Sequence, residues 1–279
     1  MTARATTAMD PATLIGILLA LIGLLVAVIL EGGNPLAFLN LPSFFIVFVG
    51  TAGVTMASVR LKGFASVPRL IVKGLKSARG MDGSEVVGTL VRLAERARRE
   101  GLLAIEEDLA EVPDPFLRKG LQMVVDGTDP EVVRDVLRAD IDGMAERHRR
   151  GYTMFLTAGG FSPTLGIIGT VMGLVHVLEQ LADPNELGPS IAVAFIATLY
   201  GVAAANVFYL PMANKLKALS EEELELRELA VDGILAIQAG ENPRIIGEKL
   251  ASYLPPAKPK PERQASADSA AAVAAEEPA

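Results

Sequence analysis

Thr170 and Thr198 are the residues of this chain best placed to do chemistry. Each is a hydroxyl inside a long run without Asp, Glu, Lys or Arg, Gly151–Leu178 and Leu187–Asn214. At 100° per residue, Pro163, Gly166, Thr170 and Gly173 share a stripe about 100° wide, with Gly169 to one side. Ile191, Ala194, Thr198, Gly201 and Ala205 form a similar stripe on the other run, and Thr198 is its only polar member. Small residues let a neighbouring backbone come close, which leaves each hydroxyl either to line an ion path or to bond within a packing seam. Spacing alone favours the seam, with Thr170 bonded to its own helix. His176 lies about 120° from Thr170 on an ideal helix and near the end of its run, which suits an interfacial or structural role. Asn206 lies about 80° off its stripe and is expected to bond a neighbouring helix. Pro211 marks either a kink or a helix end.

What these runs lack is as informative. None holds a carboxylate at mid-depth, the group that usually binds and releases an ion inside a membrane. If the protein moves ions, the titrating group must come from another chain. There is no cysteine and there are two histidines, His148 and His176, so a metal site within one chain is not expected. No nucleophile–base pair, phosphate loop or metal cluster points to an enzyme. The net charge of -7 sits largely in the polar segments and says little about partners; no nucleic acid is implied.

The elements that must position these residues follow from four uncharged runs: Pro11–Leu30, Gly32–Val59, Gly151–Leu178 and Leu187–Asn214. Each is long enough for one spanning helix, which needs roughly 20 residues. The first lacks the flanks of a cleaved signal peptide. Arg60, Lys62, Arg69, Lys73, Lys76 and Arg79 follow the second run; Arg138, Arg147, Arg149 and Arg150 precede the third; Lys215 and Lys217 follow the fourth. The connectors 31–40 and 179–186 have no Lys or Arg, so both termini and the 60–150 segment are expected in the cytoplasm. The fold class is therefore an all-α integral membrane protein: four transmembrane helices with a helical cytoplasmic domain between the second and third. The expected division is 1–60 for the first hairpin, 61–150 for the cytoplasmic domain, 151–214 for the second hairpin, 215–254 for cytoplasmic helices and 255–279 for a disordered tail.

Inside the domain, Val87, Leu90, Leu93, Ala94 and Ala97 recur at helical spacing over 84–111, with an interruption expected at Gly101. Asp129-Pro130 opens a helix that runs towards Arg150 and on into the third span. Ser220 and Glu223 fit either a capping box or a continuous helix leaving the fourth span. Asn242-Pro243 starts a last short helix ending near Leu254.

The chain resembles the flagellar motor stator A subunits, the MotA/PomA family, over nearly all of residues 9–254. The resemblance is carried by Met9-Asp10-Pro11-Ala12-Thr13-Leu14-Ile15-Gly16, by the stretch from Pro163 to Leu174, and by Gly188 to Gly201 with Asn206 and Pro211. Asp232 to Gln238, then Gly240 and Asn242-Pro243-Arg244, match the family's cytoplasmic ending. Each block alone is weak; together and in order around four spans they are specific. The resemblance implies five A subunits around two copies of a MotB/PomB-type partner, a single-span subunit whose membrane aspartate carries the ion. It implies a bacterial inner-membrane stator that turns proton or sodium flow into torque on the rotor switch protein FliG, with no cofactor. Residue by residue it assigns Pro163, Thr170 and Thr198 to the ion path and Pro211 to torque coupling. Gly166, Gly173, Ala194 and Gly201 complete the stripes. Arg98, Arg99 and Glu106, within Ala97 to Glu107, would face the rotor. Thr170 resembles sodium-type members, but Ala197 stands where those can carry a second threonine, so H+ and Na+ both stay open. The related ExbB/TolQ energisers of envelope transport usually have three spans, and the Pro11–Val59 hairpin argues against that alternative.

Overall fold

Apolar runs bounded by proline and asparagine become helices with well-defined ends. The computed structural model describes residues 11–59, 61–75, 82–179, 181 and 184–254. The expected tail, the Met9-Asp10 start, and Arg60, Lys76 and Arg79 lie outside the described residues. Every regular element among those described is helical. Besides two short 3-10 turns, Pro35–Phe38 and Leu102–Ile105, the α-helices in chain order are α1 (Pro11–Leu30), α2 (Leu41–Phe44), α3 (Gly50–Ser58), α4 (Leu61–Phe64), α5 (Val67–Leu75) and α6 (Gly83–Glu100). Then come α7 (Glu106–Leu109), α8 (Pro115–Val125), α9 (Pro130–Glu179), α10 (Pro184–Ala203), α11 (Leu210–Gln238) and α12 (Pro243–Ala251). Single π-helical segments, Phe45–Val49 and Ala204–Tyr209, join α2 to α3 and α10 to α11.

Four helical stretches are long and apolar enough to cross a membrane: Ala12–Leu30, Leu41–Ser58, Pro130–Glu179 and Leu187–Gln238. None of the Ala12–Leu30 window is buried inside the chain, and Leu18, Leu19, Ile22, Leu25 and Ile29 are all exposed. In water that surface would be untenable; facing lipid it needs no cover. The chain divides into two compact units. One takes residues up to 80 together with 138–225; the other takes 81–137 and 226 onward.

The second unit has a conventional aqueous core. Leu90 and Leu93 of α6, Leu117 and Leu121 of α8, and Ile246 and Leu250 of α12 are all 0–1% exposed. Burying each such side chain contributes about 1.5–3 kcal/mol. The buried stripe of α6 is Val86, Leu90, Leu93 and Ala94; Val87 is only half-buried. Asp82, Asp114, Asp129 and Asn242 each accept a backbone N–H of the following turn, at 2.7–3.1 Å, and open α6, α8, α9 and α12. Gly101 ends α6 at φ +87, a conformation that favours glycine. The break there and the starts at Pro130 and Pro243 are as the sequence indicates.

Ser220 resolves the other way. It lies inside continuous α11, is 6% exposed and caps nothing. Its Oγ is 3.1 Å from Nδ1 of His148 on α9. The helix runs on because no residue around it breaks it, and burial of Ser220 against α9 uses the hydroxyl that a cap would have needed.

Candidate functional site: a seam between two membrane helices

The two small-residue stripes face each other. A Cβ added at Gly166 of α9 would stand 2.8 Å from the Ala197 carbonyl and 3.1 Å from Thr198 Cα on α10. One added at Gly201 would stand 2.6 Å from the Ser162 carbonyl, and one at Gly173 2.6 Å from Ala194 Cβ. At Gly169 it would stand 2.7 Å from Ala197 Cβ. Real Cβ atoms do not come this close, so the backbones of α9 and α10 meet only because these positions are glycine or alanine. The register is explicit: Ser162 with Gly201, Gly166 with Thr198, Gly173 with Ala194.

That register brings Thr170 and Thr198 together. The Thr170 Oγ1 is 2.9 Å from the Ala194 carbonyl and 3.2 Å from the Gly166 carbonyl of its own helix. The two hydroxyls also bond each other, and Thr198 Oγ1 is 3.4 Å from the Gly166 carbonyl. Each hydroxyl has one proton. If Thr170 donates to Ala194, Thr198 donates to Thr170, and lone pairs of both remain open. The result is a cluster of four oxygens, two hydroxyl and two carbonyl, with no charge of its own. Oxygen sets of this kind suit a hard cation or a water chain. Ser162 completes the polar line: it is fully buried and donates to the Gly201 carbonyl at 3.0 Å.

Both prolines sit inside continuous helix. Pro163 interrupts the ladder of α9 without ending it. Pro211 is the second residue of α11, one residue past the π-helical segment Ala204–Tyr209, and the helix runs on, so it is not a helix end. A proline has no N–H to give the carbonyl four residues back and crowds it; a widened turn just before it relieves that crowding. Asn206, within this segment, donates to its own helix at the Val202 carbonyl, 2.9 Å away. Among the described residues it bonds no neighbouring helix, because the local carbonyl is already in reach. His176 pairs with Glu179 at 3.4 Å and both are exposed, away from the seam.

The second candidate patch lies in the other unit. Arg98, Arg99 and Glu106 are exposed, and none of them forms an ion pair among the described residues. Arg98 edges a hollow of about 250 Å³ with Leu102, Gly240 and Glu241. The organising residue is one the sequence reading passed over. Arg96 holds Asp108 at 2.7 Å and Glu100 and Glu107 at 3.2 Å, tying the end of α6 to α7. The Asp108 hydrogen bond, then that of Glu100, pushes its guanidinium well above the ordinary arginine value. Alternate signs across a glycine break were the available signal.

A further cluster was also missed. His148 of α9 lies 3.4 Å from Lys73 of α5 through Nε2, while its Nδ1 meets Ser220. Glu223 of α11 is 3.7 Å from Lys73. Nearby, Met154, Phe155, Met212, Ala213 and Leu216 form an apolar cluster covered by Leu70 and Ile71. Glu223 also stands 4.0 Å from Nε2 of His148, so a cation and a carboxylate both face that side of the ring.

These features define a polytopic helical membrane protein built on a close-packed helix pair whose seam brings together hydroxyl and carbonyl oxygens and no carboxylate. Residues 108–229 match the model of the MotA/TolQ/ExbB proton channel family. The chain is similar to motility protein A of Bacillus subtilis, 38% identical over 88% of this chain and 92% of that protein. It is 36% identical to chemotaxis protein PomA of Vibrio alginolyticus over 88% of this chain and 96% of that one. A structure of the flagellar MotAB stator complex from Bacillus subtilis matches with a TM-score of 0.83 at 38% identity, over 88% of this chain and 96% of that one. The chain therefore belongs to the MotA/TolQ/ExbB proton channel family, among its motility protein A members.

Proposed function

We propose that this protein is the A subunit of a flagellar stator, an ion-driven rotary motor unit of the bacterial inner membrane. The observation that carries the reading is the paired hydroxyls of Thr170 and Thr198, set in a helix seam with no carboxylate in any of the four spans. Such a wall can pass an ion only past a charge supplied from outside. A MotB/PomB-type single-span subunit with a membrane aspartate supplies it in this reading, with five A chains around two B helices. Thr170 and Thr198 line the path, Pro163 shapes α9 beside the aspartate, and Pro211 carries the motion towards the cytoplasm.

An ion crossing about 100 mV yields about 2.3 kcal/mol per charge, several times thermal energy. That is enough to bias a rotation step if the aspartate must be neutralised before it passes an apolar wall. Arg98, Arg99 and Glu106, exposed and without ion-pair partners among the described residues, then engage the rotor protein FliG. Residues 61–150 and 215–254 lie in the cytoplasm with both termini, following the basic flanks. The transported ion is H+ or Na+. The four-oxygen cluster suits either a proton wire through water or a sodium ion.

The test is swimming speed in a strain with this chain as its only A subunit, measured with and without sodium and with a protonophore. Thr170→Val and Thr198→Val should each reduce ion-driven swimming while the membrane level of the protein holds. Normal swimming in both variants would overturn the ion-path role. Loss of swimming with sodium removal identifies Na+, and loss with the protonophore alone identifies H+.

A further inference from the structure

We propose that Thr51 and Thr55, one turn apart in the second span, hold a single buried water molecule between their hydroxyls. The side chains are 1% and 3% exposed, and neither hydroxyl has a hydrogen-bond partner among the described residues. The inference rests on the four-span reading and not on the identity of the motor or its ion.

Ser43, Val47, Thr51 and Thr55 form a buried edge of this span, each four residues after the last. A step of four drifts about 40° per turn on an ideal α-helix, and the wider π-helical turn Phe45–Val49 takes up part of that drift. Ser43 finds a partner on α10, where its Oγ donates to the Val193 carbonyl at 3.4 Å. The two threonines lie deeper: Thr51 is about 15 Å along the helix from Leu41, near the middle of a bilayer core about 30 Å thick. A helical threonine commonly meets its need at the carbonyl four residues back. Thr157 and Thr170 do so, with the Thr153 and Gly166 carbonyls at 2.9 and 3.2 Å. For Thr51 that acceptor is Val47, inside the π-helical segment, and its carbonyl already accepts from the Gly50 N–H. The span meets α9 here through apolar groups, Gly50 against the Leu165 side chain and Ile46 against Gly169.

A hydroxyl buried without a partner is costly, and inside a bilayer no bulk water relieves it; ordered water does so beside π-helical turns. Threonines four apart on a helix have Cβ atoms about 5–6 Å apart. Two O–H···O bonds in sequence, about 2.8 Å each, cover that distance. One water therefore reaches both hydroxyls, donating or accepting at each as the hydroxyl requires. Two such bonds meet the minimum that a buried water makes. A metal cation fits less well, because two neutral hydroxyls supply neither the charge nor the number of oxygens it takes.

The experiment takes the full chain, with the subunits that accompany it, into lipid nanodiscs and maps it by electron cryomicroscopy at a resolution that shows ordered water. The unaltered protein should carry one density peak within hydrogen-bonding distance of both hydroxyls, and Thr51→Val should lose it. Thr51→Val and Thr55→Val should each lower the thermal midpoint, because each leaves the other hydroxyl and the water short of a bond. The double variant, from which the water departs, should fall by less than the two losses summed. An unaltered protein with no peak, or with a peak that reaches one hydroxyl alone, overturns the proposal. Losses that add in the double variant do so too, because each threonine then bonds separately. So do single variants that match or exceed the unaltered midpoint, the result for hydroxyls that hold nothing. Should a variant fail to accumulate, the map of the unaltered protein decides the matter.

Discussion

The seam between α9 and α10 and the patch around Arg96 present polar groups in opposite ways. In the seam, hydroxyls are held among backbones that touch, and apart from the Thr170–Thr198 bond their partners are backbone carbonyls fixed in the helices. In the patch, four charged side chains meet at the surface, where water competes for every bond. The seam's specificity comes from what is missing, side chains at Gly166, Gly169, Gly173 and Gly201. The patch's comes from what is present, one guanidinium and three carboxylates. Damage should therefore be large and structural in the first region, and small and functional in the second.

The sharpest test of the contrast adds atoms to the seam. Gly201→Val would drive a side chain into the Ser162 carbonyl, and Gly166→Leu one into the Ala197 carbonyl. Backbone cannot give way as a flexible side chain can, so the cost should reach or exceed the upper end of the usual overpacking range, about 1–3 kcal/mol. Both variants should lose folded protein in the membrane, read by protease resistance and size-exclusion profile. Gly160→Ala, on the same helix with nothing within 4 Å of its Cβ, is the control and should behave normally. A stable Gly201→Val would mean the seam is looser than its geometry.

Removing oxygen should be milder. Thr170→Val keeps the shape and deletes a hydroxyl bonded to the Ala194 carbonyl and to Thr198. Hydrogen bonds between membrane helices average about 0.6 kcal/mol, with a maximum near 1.7. The variant should fold, with a fall in thermal midpoint of a few degrees, and the double variant with Thr198→Val should cost less than the sum of the two singles because they share a bond. An additive result would show that the two hydroxyls act separately.

The two regions were unequally legible in the sequence. The stripes, the four spans, the break at Gly101 and the helix starts at Pro130 and Pro243 rest on local periodicity and capping, which short stretches of chain encode. The pairing of stripes is a tertiary fact, and spacing alone could not say which stripe Thr170 would face. The seam reading and the hydroxyl pair turn out to be one geometry. Thr170 bonds its own helix as that reading expected and reaches Ala194 and Thr198 as well. Ser220 and Asn206 were harder, because a capping pattern or a free amide is decided by what packs alongside. Arg96 was overlooked beside Arg98 and Arg99 since the three look alike in sequence. Only the return of α7 shows which one is caged. His148 gave no local signal at all; its partners lie about 75 residues away on either side.

At the patch, the two kinds of arginine should separate stability from function. Arg96→Gln removes the tie between α6 and α7 and should lower the thermal midpoint slightly, with the effect shrinking as salt is raised. Arg98→Glu touches no ion pair among the described residues and should leave the midpoint unchanged while weakening engagement of the rotor, read as swimming torque at normal membrane level. A midpoint that moves with Arg98→Glu and not with Arg96→Gln would exchange their roles.

The smallest expected effect contrasts a titratable bond with those of the seam, which do not titrate. Tyr253 of the aqueous unit donates to Asp232 at 2.6 Å, and this hydrogen bond, with some burial, raises its phenol above the ordinary value. A folded-state value raised above the unfolded one contributes stability that is complete below the unfolded value, about 10, and is lost as pH rises through the folded one. The residue is 41% exposed, so the contribution should stay well under about 1 kcal/mol. Tyr253→Phe should remove this residue's share of the stability loss above about pH 10 and lower stability slightly at neutral pH. Thr170→Val should lower stability by a similar or greater amount at every pH, since a threonine hydroxyl between backbone carbonyls has no proton to lose in that range. A pH-dependent loss in Thr170→Val would place an ionisable group within reach of the seam, where the described residues bond Thr170 and Thr198 only through hydroxyl and carbonyl oxygens.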